Sequence, residues 1–223
     1  MGFPWDQRAF TAGDRDYLWL DVVLAAMWRG EWAAFEQHLR EGLACEAYSY
    51  DTDDPADQDA VELATNEFRY DHELITAEET EAWLERVGLS VESWSRYFAR
   101  QSLWMRWEIQ LEQLMAAGAP TDQTVADDLP AEGICSGAFG RFATALAGRA
   151  AVHVDRSAAD DGAEIVLESG RADLVVAAHR RLFSGVPDDE YRERLAHIAL
   201  LDQVFERVCA EALTEEALEA QVE

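Results

Sequence analysis

The chain has 223 residues, 49% of them hydrophobic, enough apolar surface for a buried core, which excludes an intrinsically disordered polymer. Its 45 acidic residues stand against 18 basic ones, all of them arginine, and leave a net charge of -27. So anionic a surface repels phosphate backbones and acidic headgroups, which argues against nucleic acid and membrane partners and favours a neutral or basic polypeptide.

The opening residues lack a basic stretch followed by a long apolar run and a small-residue cleavage site, so no secretory signal is expected. The longest apolar run, Tyr17 to Trp28, is shorter than a membrane span and is interrupted by Asp21. Cys45, Cys135 and Cys209 lie far apart and match no metal-type spacing; reduced thiols in a cytoplasmic protein are the expectation.

In chain order, Asp14 or Asp16 opens a first helix through DYLWLDVVLAAMW, apolar nearly all round and therefore buried, which Gly30 stops. A second begins at Glu31, carries Trp32, Phe35, Leu39 and Leu43 at helical spacing and frays near Tyr48. The acidic stretch YDTDDPADQD is a loop into a third helix, with Asp54 as N-cap and Pro55 at the first helical position. Thr76 and Glu79 form the capping box of a fourth helix that ends at Gly88. Ser90 caps a fifth, with a Leu89 to Trp94 staple, running on to Gly118.

A polar linker, GAPTDQTVADDLP, follows. A second helical region starts near Pro130, where Ile134, Phe139, Phe142, Leu146 and Ala150 keep a helical rhythm. The segment AEIVLE reads as a helix start or a short strand, and no sheet of three or more strands is expected. Arg171 to Phe183 reads as helix, a long helix follows Pro187, and Thr214 caps a final short one. Two regions result: residues 1–118, and residues 119–223 packing on the first.

Trp83, Trp94, Trp104 and Trp107 place four of the eight tryptophans in the fourth and fifth helices. At 100° per residue the fifth helix has two apolar stripes. Val91, Trp94, Phe98, Met105 and Ile109 form one; Tyr97, Leu103, Trp104, Trp107, Leu111 and Leu114, with Arg96 and Arg100, form the other. A helix with two apolar faces buries both, the second against another layer, a ligand or a second copy in a homodimer. Tyr97, Arg100, Trp104, Trp107 and Leu111 are thus the candidate peptide-binding residues, since tryptophan, tyrosine and arginine dominate such interfaces. A tryptophan-rich bundle core accounts for the same pattern.

Other constellations are weaker. Gly133-Ile134-Cys135-Ser136-Gly137 fits the turn that exposes a nucleophile, but no strand precedes it; a small buried thiol is the alternative. Asp51, Asp53, Asp57, Asp59 and Glu62 fall on positions of a calcium loop, yet Pro55 and Ala56 occupy positions where the loop needs a ligand and a glycine. The histidines His38, His72, His153, His179 and His197 form no ligand motif, so neither metal nor cofactor is expected.

The run NEFRYDHELITAEETEAWLERVGLSVESWSRYFARQSLWMRW resembles the helical chaperone module found beside parvulin-type prolyl isomerases, as in SurA-like foldases. It resembles more closely a group of parvulin-related proteins that assist maturation of ribosomally made, modified peptides. The resemblance implies an all-α, SurA-N-like bundle extended by a second helical region. It lacks the residues of a parvulin catalytic domain, so no isomerase activity is implied. The expected function is non-catalytic binding of a polypeptide, a precursor peptide or a modifying enzyme. A pathway hydrolase using Cys135, or a silent subunit that stabilises an enzyme, are the alternatives.

Overall fold

The computed structural model describes residues 5–156, 169–183 and 186–219. The fold is all-α, with one two-stranded hairpin, β1 (Arg8–Ala12) and β2 (Arg15–Leu18). The helices are α1 (Trp19–Arg29), α2 (Glu31–Thr52), α3 (Gln58–Asp71), α4 (Ala77–Val87), α5 (Val91–Trp107), α6 (Leu111–Gly118), α7 (Asp122–Cys135), α8 (Ala138–Arg156), α9 (Ser169–Leu182) and α10 (Asp188–Glu219). AEIVLE lies outside the described residues.

Punctuation residues fix many of these boundaries. Gly30 and Gly88 end α1 and α4 in the left-handed region, at φ of 80° and 73°, where a Cβ is costly. Thr76 Oγ1 accepts from Glu79 N–H while the Glu79 carboxylate accepts from Thr76 N–H, completing the capping box. Ser90 caps α5 through Ser93 N–H.

Several expectations are corrected. The residues ahead of α1 pair as a hairpin around Gly13, whose φ is +61°, instead of opening the helix at Asp14 or Asp16. Helix α1 starts at Trp19, where Asp21 Oδ2 accepts from Leu18 N–H at 2.8 Å. Helix α2 continues to Thr52, and Asp57, not Asp54, caps α3 by accepting from Asp59 and Ala60 N–H. The fifth helix is not continuous to Gly118: a 3-10 turn at Glu108–Gln110 separates α5 from α6.

The expected polar linker is largely helix α7, capped by Thr121 and carrying Pro130 inside it. Proline removes one intrahelical donor there, and burial of Val125, Leu129 and Ala131 favours the helix nonetheless. Helix α10 runs unbroken through Thr214, so no separate final helix forms.

Contacts divide the chain into two compact units. Among the described residues the first holds 32–138 and the second holds 5–31 with 139–219, a different partition from a split at 118. Within the first unit α3 and α7 pack on α5. Phe68, Leu74, Trp83, Leu84, Leu89, Trp94, Tyr97 and Phe98 form one apolar cluster; Ala44, Cys45, Ala56, Leu103, Trp107 and Leu114 form another. Within the second unit α1 is buried from Leu20 to Trp28 and packs on α9, α10 and β2, as its all-round apolar sequence requires.

Candidate functional site

Helix α5 sorts its side chains differently from the two ideal stripes. Val91, Met105 and Ile109 are exposed, Ile109 at 93%, whereas Trp94 and Phe98 from the same stripe are buried. Of the five candidate binding residues, Tyr97, Arg100 and Trp107 are buried inside the first unit, and Trp104 and Leu111 are half-buried. A ligand reaches only the last two without rearrangement. Trp104 packs beside His38, 4.7 Å between ring centroids, and its Nε1–H donates to Glu41 Oε2 at 3.1 Å. These residues join α5 to α2.

Arg100 has no exposed surface. Its Nη1 donates to Asp128 Oδ1 and its Nη2 to Glu132 Oε2, both at 2.9 Å, and both carboxylates sit on α7. A sealed guanidinium needs such partners, because an unpaired buried charge costs several kcal/mol. Gln101 donates to Glu132 and shares a hydrogen bond with His38 Nε2 at 3.0 Å, so the polar network reaches α2. The backbone of α2 approaches closely at Gly42, where an added Cβ would lie 2.8 Å from Arg100 Cγ.

Beside this sealed network the first unit has an open groove. One hollow, of about 340 Å³, is lined by Leu43, Glu46, Ala47, Tyr50, Asp51, Arg96 and Thr124. A second, of about 700 Å³, is bounded by Ser49, Asp53, Pro55, Ala56, Ala99 and Leu103. Glu46 and Tyr50 line both, so the hollows meet along the C-terminal half of α2. Tyr50 is 88% exposed, a large amphipathic ring without cover. Glu46, Asp51 and Asp53 give the rim a negative bias, while Arg96 is engaged by Glu46 and by Asp128. This groove is not among the sites expected from the sequence. Its signal was the second tyrosine of YSYDTDD, Tyr50, which falls on a helix continuing beyond the expected fraying point.

Cys135 ends α7, with a turn at Ser136 and Gly137 before α8 and no preceding strand. Burial, with Glu132 nearby, pushes its thiol up to about 12, so it is protonated at neutral pH and lacks thiolate nucleophilicity. Cys45 is likewise pushed up to about 11 by burial. The acidic residues of the calcium-like pattern are divided between α2, α3 and the turn joining them, with Asp57 occupied as a cap. Among the described residues no three His, Cys, Asp or Glu side chains converge as metal ligands, and no helix is long and apolar enough to cross a membrane.

The fold thus defines an all-α protein whose first unit presents a tyrosine-lined acidic groove. Compared with known proteins, the chain matches no family model, no curated protein and no solved structure.

Proposed function

We propose that the protein binds a polypeptide non-covalently, in the manner of a chaperone or accessory protein, with the groove along α2 as its principal contact surface. The observation that carries this reading is the exposed Tyr50 at the junction of two hollows whose rim bears Glu46, Asp51 and Asp53. An amphipathic ring offers contact area at small entropic cost, and an acidic rim selects basic residues flanking an apolar anchor. The occupant is therefore an extended peptide with an apolar residue followed by arginine or lysine. The resemblance to parvulin-related maturation proteins supports a precursor peptide as its source.

Trp104 and Leu111 extend the candidate surface; Tyr97, Arg100 and Trp107 support it from within. The experiment is a titration of fluorescein-labelled peptides, basic-apolar against acidic-apolar, into the parent and Tyr50→Ala. Binding of the basic series alone, weakened about 10-fold or more by Tyr50→Ala, is expected, the loss of an interface hot spot. Equal binding of both series, or an indifferent Tyr50→Ala, removes the groove as the site.

A further inference from the structure

The second unit carries an open cavity of about 420 Å³ that the peptide-binding reading does not use. Three arginines from three helices converge on it: Arg29 at the end of α1, Arg149 of α8 and Arg171 of α9. Trp28, Glu31 and residues of α10, including Asp202 and Glu206, complete the lining. In a chain with 45 acidic and 18 basic residues, three cations at one hollow need an account.

Two of the three are neutralised internally. Arg29 Nε donates to Glu31 Oε1 at 2.9 Å, and Arg149 Nε lies 2.7 Å from Asp202 Oδ1 with its guanidinium over Phe205. Arg171 differs. Its Nε donates to the Trp28 carbonyl oxygen at 3.0 Å, its Nη2 donates to the same oxygen, and its guanidinium stacks 4.3 Å from the Trp28 ring centroid. Among the described residues no carboxylate pairs with it. The carbonyl and the indole hold the guanidinium in place, and among the described residues no carboxylate matches its charge, beside a second arginine and a half-buried Asp202 already engaged by Arg149. A fixed, unpaired guanidinium in a concave site is a receptor for a planar oxyanion, which it binds through paired N–H donors.

We propose that this cavity binds a small organic carboxylate, with Arg171 as the anchoring cation. The volume falls in the range of small-molecule pockets. A carboxylate is favoured over a fully ionised phosphate because Glu31, Asp202 and Glu206 around the same hollow oppose a second negative charge. Glu206 is exposed and acts as a rim charge that weakens anion binding.

The test uses the full chain and succinate monomethyl ester, a singly charged carboxylate, titrated at constant ionic strength, with inorganic phosphate and chloride as the other arms. Tryptophan indole N–H signals are followed by NMR, the Trp28 signal being assigned from Trp28→Phe. Saturable movement of the Trp28 signal with the carboxylate is expected, tighter than with phosphate and absent with chloride. Arg171→Ala should weaken it about 10-fold or more, as loss of a charge-assisted pair does. Glu206→Gln should tighten it about 2-fold or more, and this variant decides the matter if Arg171→Ala is unfolded by circular dichroism. No saturable carboxylate binding, an unchanged affinity in folded Arg171→Ala, an unchanged or weakened affinity in Glu206→Gln, or stronger binding of phosphate overturns the proposal.

Discussion

Arg100 and Arg171 set the two units side by side as chemistry. The first is sealed, its charge matched by Asp128 and Glu132 on the facing helix. The second is held by a carbonyl and an indole, faces a hollow, and has no carboxylate among the described residues. Identical side chains are therefore held in opposite ways: a guanidinium paired with two carboxylates fixes how α5 meets α7, and one held by a carbonyl and an indole, with no carboxylate partner among the described residues, is the one we propose for a ligand. Which role an arginine takes is set by its partners.

The largest effect that sharpens this contrast is expected at the sealed site. Arg100→Ala should cost about 3 to 5 kcal/mol of folding free energy, because it removes the cation that two buried carboxylates share, as read from urea unfolding of parent and variant. A loss near that of an exposed arginine would break the distinction. Next in size is an acid sensitivity in the second unit. Burial lowers the imidazole of His179 to about 3, and its Nδ1 lies 2.7 Å from Tyr191 Oη. The unfolded chain then takes up this proton near pH 6.5 while the folded one refuses it. The histidine's contribution is present above about pH 6.5 and is lost as pH falls towards 3, at up to ~1.4 kcal/mol per pH unit. Denaturant midpoints across pH 7 to about 4 should fall more steeply in the parent than in His179→Gln; parallel curves would refute the assignment.

Two smaller effects probe the border between core and surface in the first unit. Trp104→Ala should cost about 2 kcal/mol, below the 3 to 5 of a fully buried tryptophan, since the ring is half-exposed. A thermal melt checks this, and a full core-sized loss would place Trp104 with Trp107. Gly42→Ala should cost about 1 kcal/mol net, the gain in helix propensity being outweighed by overpacking against Arg100 Cγ, which its ion pairs hold in place. Combining it with Arg100→Ala should abolish that cost, a double-mutant cycle that isolates the contact.

The legible parts of the fold were those written in local chemistry. Thr76 with Glu79, Ser90, Gly30 and Gly88 announce helix ends through hydrogen bonds and backbone angles that a few neighbouring residues decide. Helix α7 was misread because part of its buried face is charged. Asp128 and Glu132 look like linker residues until Arg100, distant in sequence, is seen to pair with them. The hairpin was missed because Asp14 and Asp16 also suit a helix start, and Thr11 Oγ1 donating to Asp16 Oδ1 at 2.6 Å is a tertiary choice between two local options. At the candidate site, periodicity found the aromatic residues of α5 but could not separate a stripe facing outward from one covered by α2 and α7. The groove at Tyr50 and the cavity at Arg171 depend on where several helices diverge, which no single helix encodes.

The second unit is discontinuous in the chain: α1 belongs with α9 and α10, and the whole of the first unit is inserted between them. During synthesis α1 therefore emerges as a helix apolar on nearly every side long before its helical partners α9 and α10 exist. The inserted unit can fold in that interval, while α1 waits as a nascent segment open to aggregation or to capture by a holdase. Moving residues 5–31 to follow residue 219 by circular permutation should shorten that wait, and the soluble yield of the permuted chain against the parent would measure what the interrupted order costs.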